Sequence, residues 1–262
     1  MKKKLAVFLI ILPIFIFITL YIYFAYNPSK VLGRSYSMSE ATLPASGSLD
    51  GQSDDVTDAY GSPVITADQL YMLMPVQYIS QNPELPTGCE ITSLAMTLNY
   101  LGFNVSKTQL AENYLDKLES FDGSFYDYFI GNPAETNGWG CFAPAIVKAA
   151  NKYLADQSSS LKAYNISNSS MQTLFDELSC GRPVIVWTTS SWNTETRYTP
   201  ITLNDSTFFN WPSSEHCVVL TGFNIEKSTV FLVDPLIGIV ERDLTEFAKT
   251  YDAYYKQAVV IK

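Results

Sequence analysis

One histidine, His216, occurs in 262 residues, in the run Ser214-Glu215-His216-Cys217-Val218-Val219-Leu220-Thr221-Gly222. Imidazole is the side chain whose ordinary titration falls nearest neutral pH. Chemistry that needs an imidazole as base, acid or metal ligand must therefore use this residue. The best nucleophile for it is Cys89, in Gln81-Asn82-Pro83-Glu84-Leu85-Pro86-Thr87-Gly88-Cys89-Glu90-Ile91. Two prolines and a glycine make that stretch an irregular loop, and an apolar helical pattern begins at Cys89. A helix start offers unpaired N–H groups and partial positive charge, which favour the thiolate, the attacking form of cysteine. The adjacent Glu90 works against that charge.

Two more residues complete a candidate set. Asp234 closes Phe231-Leu232-Val233-Asp234-Pro235. A hairpin pairing Val218–Leu220 with Val230–Val233 places Asp234 beside His216, where a carboxylate fixes the imidazole tautomer. Gln81, eight residues before Cys89, offers an amide to a developing oxyanion, with Gln77 as the alternative. Each residue also has a plainer reading. A buried cysteine is commonly inert, a lone histidine is commonly a satisfied core or surface residue, and Asp-Pro commonly starts a turn. The combination argues for chemistry. Cys89 and His216 are 127 residues apart, close to the roughly 130–150 that separate cysteine from histidine in papain-like enzymes.

The elements that must hold these side chains are legible in outline. Ile91, Leu94, Ala95, Leu98 and Leu101 recur at helical spacing after Cys89, and Gly102 follows as a stop. A second helix is predicted from about Lys107 to Leu118, with Ser106 as its cap. Residues 120–140 read as a long loop. Further helices are predicted over about 144–154, 170–178 and 244–251. Pro183 to Thr189 is an apolar, β-branched run expected as a buried strand. A polar, aromatic loop is expected from Ser191 through Trp192 and Trp211. Strands are expected at 216–221, 230–233 and 258–261. Helices first and antiparallel strands second make an α+β domain. Trp187 and Cys217 are expected in its core, and Trp139, Trp192 and Trp211 in loops that line a groove.

The N-terminus has another character. Met1-Lys2-Lys3-Lys4 precedes an uncharged apolar run from Leu5 to Tyr26. About 20 such residues span a bilayer, and the lysines favour a cytoplasmic start. The expectation is a cytoplasmic tail (1–4), a transmembrane signal anchor (5–26), a flexible polar stalk (27–67) and an extracytoplasmic domain (68–262). A cleaved signal peptide is the rival, which would make the domain secreted.

Composition narrows the partners. The 26 acidic and 17 basic side chains, net −9, argue against nucleic acid. Four cysteines at 89, 141, 180 and 217 contain no C-x-x-C pair, so zinc-ribbon and thioredoxin patterns are absent. The three other than Cys89 are expected to be reduced and buried. No metal or cofactor is expected, and no G-x-S-x-G elbow suggests a serine hydrolase.

Taken in order, these boxes resemble those of the C39-like cysteine peptidases, in their stand-alone branch. The first box comprises Pro75-Val76-Gln77-Tyr78-Ile79-Ser80-Gln81 and Thr87-Gly88-Cys89-Glu90-Ile91-Thr92-Ser93-Leu94-Ala95-Met96. Later boxes are Gly138-Trp139-Gly140-Cys141-Phe142-Ala143-Pro144, Gly181-Arg182-Pro183-Val184-Ile185-Val186-Trp187, Glu215-His216-Cys217-Val218-Val219-Leu220-Thr221-Gly222 and Val233-Asp234-Pro235. The similarity runs from about Met74 to the C-terminus.

The resemblance implies a papain-like fold, with a helical half carrying the cysteine and an antiparallel sheet carrying histidine and aspartate. It implies Cys89 as nucleophile, His216 as base and then acid, Asp234 as orienting group and Gln81 as oxyanion donor, acting on a peptide or protein substrate. Members fused to exporters trim leader peptides. This chain shows Gly88-Cys89-Glu90 in place of Asp-Cys-Gly and has no transporter domain, so that role does not carry over. The alternatives are cell-wall peptide hydrolysis or transamidation by the same machinery, and a catalytically silent surface binding module.

Overall fold

A computed structural model describes residues 70–192 and 195–262. The expected tail, anchor and stalk lie outside these residues. Among the described residues, no helix is long and apolar enough to cross a membrane.

Helix α1 (Cys89–Tyr100) is buried from Cys89 through Leu98. A helix buried on nearly every side lies inside a domain rather than on its surface, and its buried Glu90, Thr92, Ser93 and Thr97 are polar. Gly102, at φ +91°, turns the chain after it in the left-handed region where a Cβ is penalised. Helix α2 (Lys107–Asn113) is capped as expected, with Ser106 Oγ accepting the Gln109 N–H. It stops five residues earlier than the sequence suggested. The next residues form β2 (Lys117–Leu118), which pairs in parallel with β3 (Phe129–Ile130) inside the expected loop. That pairing needs extended backbone, so it displaces the last helical turn. Helices α3 (Ala143–Asp156) and α4 (Met171–Ser179) follow the expected spans closely.

The second half is a seven-stranded sheet. Its strands are β1 (Tyr71–Leu73), β4 (Ala163–Asn165), β5 (Val184–Thr189), β8 (Glu215–Asn224), β9 (Thr229–Asp234), β10 (Gly238–Asp243) and β11 (Ala258–Ile261). The order is β10-β9-β8-β5-β11-β4, with β1 joined to β8. All of these pairings are antiparallel. Gly222 lets β1 approach: a Cβ there would lie 2.1 Å from Met72 O. Helix α5 (Leu244–Ala253) packs on the sheet.

Among the strands outside the sequence reading are a hairpin and β10. The expected loop between Trp192 and Trp211 contains a hairpin, β6 (Tyr198–Thr202) with β7 (Phe208–Pro212). β10 was not expected as a strand. Both are partly exposed, with apolar and polar residues mixed, so neither carries the continuous apolar run that marks a buried strand.

The sheet is covered on both faces. Ile185, Trp187 and Cys217 share a core cluster with Cys89, Leu94 and Leu98 of α1 and with Ile146 and Ala150 of α3. Val184, Val186, Val218 and Leu220 share the other cluster with Leu178 of α4 and with Phe247 and Tyr251 of α5. Alternate residues of one strand serve opposite layers, as a pleated strand requires. The result is an α+β arrangement with β8 at its centre, clamped between helices along its length.

Candidate active site

β8 carries His216 and α1 begins at Cys89. The two elements are tied one turn into the helix, where Ser93 Oγ donates to the Cys217 carbonyl at 3.1 Å. His216 pairs across the ladder with Thr188 of β5. On the other side, Val219 pairs with Val233 and Leu220 with Leu232. Continuing that register sets Asp234 opposite Val218, on the same face as His216. The contact results: His216 Nε2 and Asp234 Oδ1 lie 2.7 Å apart, and both residues are buried.

The Asp234 carboxyl feels burial first, which raises its proton affinity. The hydrogen bond and charge of His216 and the N–H groups of Leu236 and Ile237 outweigh burial and hold it below the usual range. An ionised carboxylate can only accept, so Nε2 carries the hydrogen. Nδ1 is the nitrogen that the carboxylate does not engage.

Cys89 meets different neighbours. Its thiol donates to Glu90 Oε2 at 3.3 Å. Among the described residues no hydrogen bond joins Cys89 to His216. Burial pushes the Cys89 thiol up strongly, and the acidic groups Glu90, Glu215 and Cys217 push it further. The expected thiolate-stabilising effect of the helix start is therefore overridden. A helix terminus is worth up to about 2 kcal/mol, whereas burying a charge without a counter-ion costs more.

Gln81 is buried in the loop before α1. Its Nε2 donates to Pro86 O at 2.7 Å, and its backbone N–H donates to Pro235 O at 2.9 Å. The amide thus braces the loop internally while the backbone ties it to the residue after Asp234. Lys107 holds the same loop from the side, donating to Ser80 O at 2.5 Å and Gln81 O at 2.7 Å and pairing with Glu84 at 2.7 Å. Gln77, the alternative amide, is exposed.

With this geometry in place, comparison with known proteins is informative. The sequence profile of the Peptidase_C39 like family matches residues 73–259. The chain belongs to the Peptidase_C39 like family. YvpB, an uncharacterized Bacillus subtilis (strain 168) protein, is 35% identical over 190 residues, covering 69% of this chain and 71% of that protein. The crystal structure of a Bacillus anthracis protein described as a C39-like peptidase is 29% identical. It superposes with a TM-score of 0.65 over 73% of this chain and 96% of that one. Membership in a C39-like family carries a cysteine-peptidase type of function in general terms.

Within this C39-like domain, two carboxyls crowd the sulfur. Glu90 is fully buried, and its Oε1 accepts the Cys141 N–H at 2.8 Å. Burial pushes the Glu90 carboxyl up to about 7 and the Glu215 carboxyl well above its ordinary range, the latter helped by the charge of Glu90. Cys89, Glu90 and Glu215 present one ligand atom each within 4.8 Å of one another. Burial works against a negative charge on each of the three.

Sequence reasoning did not single out Glu215. The signal was available: on a strand, Glu215 and Cys217 must share the face opposite His216.

Other expectations divide. Trp187 is fully buried and donates its indole N–H to Cys141 O at 2.8 Å. Cys141 and Cys217 are free and buried, but Cys180 is free and exposed, because it caps α4 at the surface. Trp211 is packed rather than lining a groove, 4.4 Å from Phe125 ring to ring. Trp139 remains 37% exposed, edge-on to Trp211 and Phe121. Trp192 lies under the Arg242 guanidinium, 5.0 Å from the ring centre.

Proposed function

We propose that this protein is a thiol hydrolase that cleaves peptide or amide bonds through an acyl-thioenzyme. Cys89 is the nucleophile, His216 the base and then the acid, and Asp234 the group that holds the imidazole. Gln81 is the oxyanion donor in this scheme. The buried His216–Asp234 pair carries the reading. A 2.7 Å contact of an imidazole with an ionised carboxylate fixes one tautomer and supports the imidazolium that forms in acyl transfer.

The chemistry runs in two halves. The Cys89 S–H bond breaks and its proton passes to His216 Nδ1. The sulfur attacks the substrate carbonyl carbon, and the carbonyl oxygen takes the electron pair. As the tetrahedral centre collapses, the C–N bond breaks and Nδ1–H protonates the leaving amine. Water, deprotonated by the same nitrogen, then attacks the thioester, releasing the acid and restoring the thiol. In the resting arrangement the thiol proton points at Glu90, so the first step requires the sulfur to leave that carboxylate. A cleft of about 570 Å³ lined by Ser213, Ser214 and Tyr254 adjoins the start of β8, a place for an extended substrate.

We place this activity outside the membrane, with residues 5–26 as a signal anchor. The support is sequence alone: three lysines before an uncharged apolar run.

Digestion of a peptide library by wild type and by Cys89→Ala tests the reading. Cleavage that disappears in the variant supports it, and equal cleavage by both excludes Cys89 as nucleophile. The neutral thiol and its engagement with Glu90 favour one second reading, a silent binding module of the same fold. That reading expects no cleavage by either protein.

A further inference from the structure

We propose that Glu90 is a positioning residue for Cys89, its carboxylate accepting the thiol hydrogen and so holding the sulfur out of hydrogen-bond contact with His216. The proposal rests on Cys89 being the nucleophile of the reaction above, but its test reads the sulfur itself.

Glu90 is held from two sides. Oε2 accepts the Cys89 thiol at 3.3 Å and Oε1 accepts the Cys141 N–H at 2.8 Å. The backbone bond comes from the segment just before α3 and holds the carboxylate in place. Gly140 closes the space beside it. A Cβ at 140 would lie 2.6 Å from Glu90 Oε1 and 3.2 Å from Glu215 Oε2. The two carboxyls thus rest against one bare Cα, at a residue whose φ of +128° already favours glycine. Glu215 Oε1 is shielded from solvent and has no hydrogen-bond partner among the described residues.

The groups facing the sulfur come from every element around it. Glu90 is on α1, Cys141 precedes α3, and Glu215 and Cys217 are on β8. Asp234 on β9 acts on Cys217. The charges acting on the Cys89 thiol are all acidic. Two carboxyls and a thiol this close carry a second negative charge only at high cost. Burial raises the proton affinity of both carboxyls, and the charge of Glu90 adds to the rise at Glu215. Glu90 is the carboxyl that accepts the thiol, and its charge when ionised holds the thiol proton in place.

Alkylation of the full-length chain by iodoacetamide, followed by mass mapping of the Cys89 peptide across pH, measures this. A Cys180→Ser background removes the exposed thiol. Glu90→Gln is expected to lower the pH midpoint of Cys89 alkylation by about one unit and to speed labelling at pH 7 about tenfold. Glu90→Asp keeps the charge and should stay near the parent midpoint. Glu215→Gln removes the lesser of the two carboxyl charges acting on the thiol and should lower the midpoint by less than Glu90→Gln does. An unchanged midpoint in Glu90→Gln, or an equal fall in Glu90→Gln and Glu90→Asp, overturns the proposal.

Should Glu90→Gln not fold, the S–H infrared stretch of the parent chain carries the test. The band absent from Cys89→Ala should move to lower frequency as Glu90 ionises through about pH 7. A band unmoved between pH 6 and pH 8 overturns the proposal. Peptide cleavage that survives Cys89→Ala refutes the proposed reaction and leaves the titration result standing.

Discussion

His216 Nε2 and Asp234 Oδ1 meet at 2.7 Å, and the same Oδ1 accepts the Leu236 N–H at 2.8 Å. The carboxylate is thereby fixed by its own turn before it fixes the imidazole. Asp234→Asn keeps the shape but removes the charge and offers an amide that can present N–H to the ring. Turnover is expected to fall between about 10² and 10⁴-fold, with a smaller change in KM. Steady-state kinetics on a cleaved peptide check it, and a loss under about threefold would remove Asp234 from the mechanism.

His216→Ala should abolish turnover, because the chain holds no second histidine to replace it. Single-turnover assays at several pH values are the measurement. Retained acylation would assign the base to another group.

The Glu90 carboxyl gives a pH signature in stability. Its folded value of about 7 lies above the ordinary value of 4.5. A carboxyl raised in the folded state stabilises fully below its unfolded value, and that stability is lost as pH rises through its folded value. The domain should therefore weaken between about pH 4.5 and pH 7 by on the order of 3 kcal/mol. Asp234 acts oppositely and in a lower window. Its depressed value adds stability above the unfolded range, lost as pH falls through the folded value. Thermal unfolding should show the decline toward pH 7 in the parent and a flatter profile in Glu90→Gln.

Lys107 is nearly buried and grips the 80–84 loop through Ser80 O, Gln81 O and Glu84. Lys107→Met leaves two buried carbonyls without that donor, at a cost of about 2 to 4 kcal/mol. Faster amide exchange at the Gln81 and Leu85 N–H groups, whose bonds run to Pro235 O and Gln81 O, would locate the effect.

Gln81→Ala removes the Pro86 brace and should cost about 1 to 2 kcal/mol in the denaturant midpoint. An oxyanion role adds a fall in kcat of about 10² to 10³-fold, which the brace alone does not explain.

Local pattern made much of this molecule readable. The helix starting at Cys89, the buried run at 184–189 and the strand holding His216 follow from apolar periodicity and turn residues. The Asp-Pro after a second apolar strand pointed to the contact of Asp234 with His216, because hairpin register is local information. The early end of α2 at Asn113 was not legible, since it depends on Lys117–Leu118 finding a partner at Phe129–Ile130. Nor was the hairpin of Tyr198–Thr202 with Phe208–Pro212, whose exposed strands lack a one-sided apolar stripe.

By itself the sequence determined which groups are available for chemistry: one imidazole, a cysteine at a helix start and a carboxylate one hairpin from that imidazole. It could not determine the protonation of the cysteine. Tertiary structure decided that by bringing Glu215 from β8 and the Cys141 N–H from before α3 to the side of Glu90. The helix end offers a fraction of a charge within one turn. Burial removes the water that would stabilise a thiolate, and the neighbours it supplies at that spot are acids.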